Sequence, residues 1–131
     1  HNHRKNLTEM LMLKDNHIDA AGSITAAVAA LRARYTPCPP IEVECRTLDH
    51  VREAIAARAD RIMMDNMDGQ RLSQALALVP ASIETEVSGG VRLDTIRALA
   101  LTEPRRPDFI SVGRLTHSAV SADFSMTLLA V

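Results

Sequence analysis

Five short apolar runs divide the chain, at residues 10–13, 41–45, 61–65, 82–87 and 109–112. Each ends in polar or glycine-rich punctuation, and the first four are followed by an alanine-rich stretch with helical spacing. Continuous apolar runs of this length suit strands buried on both faces. Strands that alternate with helices of about ten residues pair in parallel, because a parallel pair needs a crossover long enough to hold a helix. The spacing predicts helices over 24–34, 48–59, 70–79 and 93–101. Gly22-Ser23 supplies the turn and N-cap of the first, which Pro37, Pro39 and Pro40 terminate. Val51, Ala54, Ile55 and Ala59 fall on one side of the second, and Pro80 ends the third. A further, weakly patterned helix is expected after Ser121.

Two of the runs discriminate between kinds of parallel sheet. In Ile41-Glu42-Val43-Glu44-Cys45, alternation places both glutamates on one face and Ile41 and Val43 on the other. Glu84, Glu86 and Ser88 likewise share a face. An open doubly wound sheet covers both faces with helices and has little room for stacked carboxylates, whereas a barrel can keep a polar lumen near its carboxyl end. The fold class expected is therefore α/β, with parallel strands and alternating helices forming part of a (β/α) barrel. Five βα units fall short of the usual eight, so the 131 residues are expected to be one partial barrel domain, without the first strands.

Composition narrows the function classes. A net charge of −1 offers no electrostatic case for nucleic acid or an anionic membrane, and three aromatic residues supply no base-stacking platform. No apolar run approaches the roughly 20 residues of a membrane span. Cys38 and Cys45 lack a C-x-x-C spacing and are expected as free thiols in a reducing cytoplasm. His1 and His3 stand two apart, a pattern that by itself says little about metal binding.

Chemistry gathers where the runs end, which in α/β folds is where sites lie. The first run meets Lys14-Asp15-Asn16-His17, and Lys14 is one of only two lysines against thirteen arginines. It is either an active-site cation or a side chain that snorkels to solvent. Glu44 and Asp65 close the second and third runs, one βα unit apart, so both can point into one mouth. Carboxylates there suit ribose hydroxyls, a divalent metal or a developing cation; the plain alternative is an ion pair with an arginine. Ser88-Gly89-Gly90 and Ser111-Val112-Gly113-Arg114 follow the last two runs. Backbone amides freed by glycine cradle phosphate oxygens, and barrels commonly bind phosphate after their last two strands.

Taken in order, these motifs resemble those of the quinolinate phosphoribosyltransferase family. The resemblance is carried by His3-Arg4, Leu13-Lys14-Asp15-Asn16-His17-Ile18, Glu42-Val43-Glu44, Asp65-Asn66-Met67, Glu86-Val87-Ser88-Gly89-Gly90 and Ser111-Val112-Gly113-Arg114-Leu115-Thr116-His117-Ser118. It implies the C-terminal part of a barrel whose amino-terminal domain is not in this chain. It also implies the transfer of a phosphoribosyl group from phosphoribosyl pyrophosphate to quinolinate. Decarboxylation accompanies transfer, and the products are nicotinate mononucleotide, pyrophosphate and carbon dioxide. By the same resemblance His3, Arg4 and Lys14 hold the quinolinate carboxylates. Glu44 and Asp65 flank the ribose and its Mg²⁺, with metal contact through substrate or water. Ser88, Gly89, Gly90 and Gly113, with Val112 and Arg114 alongside, cradle the 5′-phosphate. A homo-oligomer is implied as well, with a site arginine from outside this segment.

The chain departs from the family pattern at Glu103-Pro104-Arg105-Arg106-Pro107, where an approach containing glycine is more usual. Two other functions fit parts of the pattern. One is a Schiff-base lyase in which Lys14 attacks a carbonyl. The other is a non-catalytic barrel remnant, or a molybdenum-transport-associated relative. The isolated fragment is expected to be inactive.

Overall fold

The computed structural model describes Asn6, residues 8–118 and residues 120–128; His1, His3 and Arg4 lie outside the described residues. In chain order the elements are β1 (Leu11–Leu13), α1 (Asp15–Ala21), α2 (Ile24–Arg34), β2 (Ile41–Cys45), α3 (Leu48–Ala56), β3 (Arg61–Asp65), α4 (Gly69–Leu78), β4 (Glu84–Ser88), α5 (Ile96–Ala100) and β5 (Phe109–Ile110). A 3₁₀ turn over Gly113–Leu115 follows. The five strands form one sheet in the order β1-β2-β3-β4-β5, and every pairing is parallel.

That order decides the architecture. Parallel crossovers are right-handed, so strands laid down in sequence order put every connecting helix on the same face. Helices α1 to α4 accordingly pack side by side, each against the next. A doubly wound sheet would reverse its strand order part-way, and this one does not. The chain is a sector of a (β/α) barrel, as the glutamate alternation implied.

The two faces of the sheet differ sharply. Toward the helices, the register aligns Leu13, Val43, Ile62 and Thr85 in one row and Cys45, Met64, Val87 and Ile110 in the next. All but Ile110 are buried, together with Ile24, Val28, Val51, Leu72 and Leu76 from the helices. Each fully buried aliphatic side chain contributes about 2 kcal/mol, so this face is where the stability resides. The opposite, inner face carries Met12, Glu42, Arg61 and Glu84 in one row and Glu44, Met63, Glu86 and Phe109 in the next. Asp65 and Ser88 pair above them, at the carboxyl end.

Side-chain caps set the helix starts. Ser23 accepts from Ala26 N–H at 3.0 Å, Thr47 from His50 N–H at 3.1 Å and Asp68 from Arg71 N–H at 2.9 Å. Each such cap is worth about 1 kcal/mol. Helix α3 stops before residue 59 because Arg58 takes a left-handed φ of 60°.

Several boundaries differ from expectation. Helix α1 was not expected. It is two turns long, buries only Ile18, and ends at Gly22 in the left-handed conformation. Strand β4 begins at Glu84, because Ile83 N–H turns back to the Pro80 carbonyl at 3.0 Å. Strand β5 is shorter than 109–112, although Ser111 N–H still reaches the Val87 carbonyl at 2.9 Å. Helix α5 is shorter than 93–101, since an Arg92–Asp94 ion pair and the Thr95 hydroxyl organise a turn ahead of it. The helix expected after Ser121 does not form over residues 121–128, where Phe124, Met126 and Leu128 stand exposed. A short helix needs a packed face to be stable, and none is provided there.

The atypical approach to β5 has a structural explanation. The Arg105 guanidinium donates to the carbonyls of Val79, Pro80 and Ile83 at 2.6, 3.0 and 2.9 Å, and to Asp108 at 3.0 Å. Asp108 in turn accepts from the N–H and the hydroxyl of Thr85, both at 2.8 Å. One arginine thus fastens the end of α4 to the starts of β4 and β5.

Candidate active site

Two open clefts of about 470 and 480 Å³ lie at the carboxyl ends of the strands. One runs along the Ser88-Gly89-Gly90 turn to Gly113, Arg114 and His117. The other holds Lys14, Glu44 and Asp65. They join at Ser88, Ser111 and Gly113, which line both. The structure therefore brings together every expected site residue except His3 and Arg4, which lie outside the described residues.

Lys14 is exposed at the end of β1 and forms the N-cap position of α1. Its backbone N–H donates to His17 Nδ1 at 3.1 Å, which pins the first turn, and the residue lines the carboxylate cleft. Glu44 and Asp65 face the same cleft from β2 and β3. Both also sit beside Arg46, at 3.3 and 3.8 Å, and Arg46 reaches Asp15 at 2.8 Å. The ion pair considered as an alternative for these carboxylates thus exists within the site itself. Arg46 draws α1, β2 and β3 together at the rim. The Asn16 N–H and then the Arg46 side chain hold the Asp15 carboxyl below the usual carboxylate range, while Asp15 raises Arg46 further.

The glycine side is shaped by close approach. Gly89 has φ +92°, and a Cβ there would stand 2.4 Å from Asn66 Oδ1. Asn66, itself at φ 53°, donates from its side chain to Asp65 at 2.9 Å and from its backbone to the Ser88 carbonyl at 2.9 Å. One residue therefore orients the Asp65 carboxylate and seats the glycine turn. A Cβ at Gly113 would stand 2.6 Å from His117 Nε2, so no side chain fits beneath that ring. His117 Nδ1 pairs with the Ser118 hydroxyl at 2.7 Å. Arg92 and Arg114 add positive charge to this cleft.

At the floor of the carboxylate cleft, which it lines, Glu86 is 2% exposed on β4. One carboxylate oxygen bonds the Ser111 hydroxyl, and the other faces Arg61 at 3.4 Å. Arg46 was not singled out in the sequence, and Ser111 and Glu86 stood there only inside the motifs Ser111-Val112-Gly113-Arg114 and Glu86-Val87-Ser88-Gly89-Gly90, without a role of their own. Alternation placed Glu86 and Glu84 alike on the inner face, and nothing in the sequence gave their difference in burial, Glu84 being half exposed.

Residues 1–127 match the family model described as quinolinate phosphoribosyl transferase, C-terminal domain. The chain belongs to the quinolinate phosphoribosyltransferase family. It is 44% identical over 126 residues to the probable nicotinate-nucleotide pyrophosphorylase (carboxylating) of Bacillus subtilis, an alignment covering 96% of this chain and 43% of that protein. The corresponding rat enzyme is 40% identical over 133 residues, covering 98% of this chain and 43% of the relative. Among solved structures, NadC from Streptococcus pyogenes superposes with a TM-score of 0.81 at 43% identity, covering 96% of this chain and 43% of that one. The chain spans about two-fifths of the length of the curated relatives it matches. Within this family fold, the acidic mouth and the glycine turns occupy one continuous surface.

Proposed function

We propose that the protein carrying this chain transfers a phosphoribosyl group from phosphoribosyl pyrophosphate to quinolinate and releases pyrophosphate and carbon dioxide, forming nicotinate mononucleotide. The observation that supports this most is the junction of the two clefts. A phosphate seated on one lies a single sugar away from the acidic mouth of the other, because Ser88, Ser111 and Gly113 belong to both. A 5-phosphoribosyl group has that layout.

The chain's own residues then divide the work. Backbone amides around Gly89, Gly90 and Gly113, with Ser88, Val112, Arg114 and Arg92 nearby, receive the 5′-phosphate. Attack of the pyridine nitrogen on ribose C1 breaks the bond to pyrophosphate and develops positive charge on the ring. Glu44 and Asp65 stabilise that charge. Lys14, together with His3 and Arg4, neutralises the quinolinate carboxylates, and a positive environment beside the pyridine ring favours loss of one as carbon dioxide. Among the described residues no group of three or more His, Cys, Asp or Glu is placed so that it could hold a metal ion by itself. Two carboxylates in an open cleft fit a Mg²⁺ that arrives on substrate phosphates, the usual mode for that ion. Glu44 and Asp65 would meet it through substrate or water, and when bound it would offset the charge of the leaving pyrophosphate.

Two further assignments belong to this proposal. Free Cys38 and Cys45 support a reducing compartment, hence the cytoplasm; among the described residues no helix is long and apolar enough to cross a membrane. Exposed Phe124, Met126 and Leu128 offer apolar surface for contact with a second copy, and the family resemblance adds a homo-oligomer with a site arginine from outside this segment.

The test is to incubate the full-length protein with quinolinate, phosphoribosyl pyrophosphate and Mg²⁺ and quantify nicotinate mononucleotide and carbon dioxide. Equimolar formation of both is expected. No product, or nucleotide formed without carbon dioxide, overturns the proposal.

A further inference from the structure

We infer that Ser111 is a hydrogen-bond acceptor that reads a ribose hydroxyl at the junction of the two clefts, and that Glu86 imposes this polarity on it. The inference rests on the reading of the site as a phosphoribosyl site and extends it to residues which that reading leaves without a role.

Ser111 stands just past β5, where both clefts meet. Its N–H is spent on the Val87 carbonyl at 2.9 Å, and its hydroxyl bonds Glu86 Oε1. The second Glu86 oxygen faces Arg61 at 3.4 Å. Arg61 is itself held by Glu84 at 2.7 and 3.0 Å and lies 4.2 Å over the Phe109 ring. One Glu86 oxygen accepts from Arg61 and the other stands at the Ser111 hydroxyl, so the single proton of that hydroxyl goes to Glu86. The lone pairs that remain make the oxygen an acceptor toward the clefts.

The consequence is selective. Phosphate oxygens are acceptors too and meet repulsion at this point, whereas a sugar hydroxyl can donate as well as accept and is drawn to it. The line Arg61–Glu86–Ser111 therefore assigns the two ends of the ligand: phosphate to the glycine amides, hydroxyl-bearing ring to the junction. Ser111 touches the ligand; Glu86 acts through it, as a positioning residue. A serine that only tied β5 to β4 would affect every ligand of the clefts alike.

Calorimetry on the full-length protein separates these cases, with inorganic phosphate and ribose 5-phosphate as probes. Ser111→Ala is expected to weaken ribose 5-phosphate about three- to tenfold, the loss of one ordinary hydrogen bond, and to leave phosphate binding unchanged. Ser111→Thr, which keeps the hydroxyl, should restore the affinity. In Glu86→Gln the amide must turn its oxygen to Arg61 and its NH₂ to Ser111, which reverses the hydroxyl. The reversed hydroxyl donates toward the clefts, where a sugar hydroxyl can accept it and a phosphate oxygen is no longer repelled, so ribose 5-phosphate should weaken less than in Ser111→Ala while inorganic phosphate gains affinity. Equal weakening of both ligands by Ser111→Ala, or no weakening of ribose 5-phosphate, overturns the inference. Should Glu86→Gln not fold, the alanine and threonine variants decide. Failure of the unmodified protein to bind either probe instead overturns the phosphoribosyl reading itself, and this inference with it.

Discussion

Arg46 and Arg61 belong to the same sheet and are each surrounded by acidic side chains, yet they stand in different physical situations. Arg46, at the rim, is half exposed and lies within 4 Å of Asp15, Glu44 and Asp65. Arg61, two strand residues below the clefts, has a side chain only 15% exposed, packed on Phe109 and paired with Glu84 and with buried Glu86. Burial works against the Arg61 charge, and its acidic neighbours, Glu84 first, more than compensate, so its pKa is raised. Exposed ion pairs contribute little because water and salt screen them. Buried ones are costly to break, since the partner is left charged in a poor solvent. The comparison teaches that the inner face has a structural floor and a working rim built from the same residue types.

The largest expected effect tests the floor. Arg61→Ala leaves Glu86 without its cation and should cost about 3–5 kcal/mol of stability, as breaking buried pairs does. Urea denaturation of the full-length protein measures it. A loss under about 1 kcal/mol would place Arg61 with the exposed pairs and remove the distinction.

At the rim the expectation is reversed, with function lost and stability kept. Lys14→Ala removes an exposed side chain from the mouth of the carboxylate cleft. Turnover should fall about a hundredfold, equivalent to roughly 3 kcal/mol of transition-state stabilisation, with a nearly unchanged melting temperature. Normal kcat and quinolinate KM in this variant would end the assignment of Lys14 as a site cation. Somewhat smaller is the effect of Glu44→Gln and Asp65→Asn, each expected to weaken handling of phosphoribosyl pyrophosphate about tenfold, the scale of a hydrogen bond to a charged group. Quinolinate affinity measured by calorimetry in the absence of the second substrate should stay intact. The opposite pattern would mean that the two pockets are reversed.

How far these features were legible in the sequence follows from how local their causes are. Strands β2 and β3 match their expected bounds because a buried run between polar ends is a local signal. The two-faced sheet was legible from Glu42, Glu44, Glu84 and Glu86, since alternation has a fixed period of two. Helix α1 was not, because seven residues with one buried position, Ile18, leave no period to detect. The same holds for Arg46. It follows β2, but its partner Asp15 lies two helices upstream, and only the parallel pairing of β1 with β2 brings them together. Glu86 and Glu84 read identically as alternating glutamates. Their difference in burial depends on Ser111 and Arg61, which other strands deliver. Lys14, Glu44, Asp65 and the glycine turns were legible because strand ends converge in any barrel.

The smallest effect concerns the rim cluster itself and carries the comparison furthest. Arg46→Ala should leave the melting temperature near pH 7 almost unchanged, because its contacts are screened. Its signature should appear in acid instead. In the folded protein the Asp15 carboxyl is held below its ordinary value, chiefly by the Asn16 N–H and next by the Arg46 side chain. A carboxylate whose pKa is depressed on folding contributes stability that is fully present above the unfolded value, about 3.9 for aspartate. That contribution is lost as pH falls from there through the folded value. Removing Arg46 withdraws one cause and leaves the larger one, so the acid-side drop in melting temperature should shrink without disappearing. Partial burial works against the Asp108 charge, yet its bonds from Thr85 and then Arg105 outweigh it and depress that carboxyl too, and it should titrate as before in this variant. Melting temperatures between about pH 3 and pH 6 on the unmodified protein and Arg46→Ala measure the difference. If Arg46→Ala costs as much as Arg61→Ala at pH 7, the rim is as structural as the floor, and the division of the inner face into two regions is wrong.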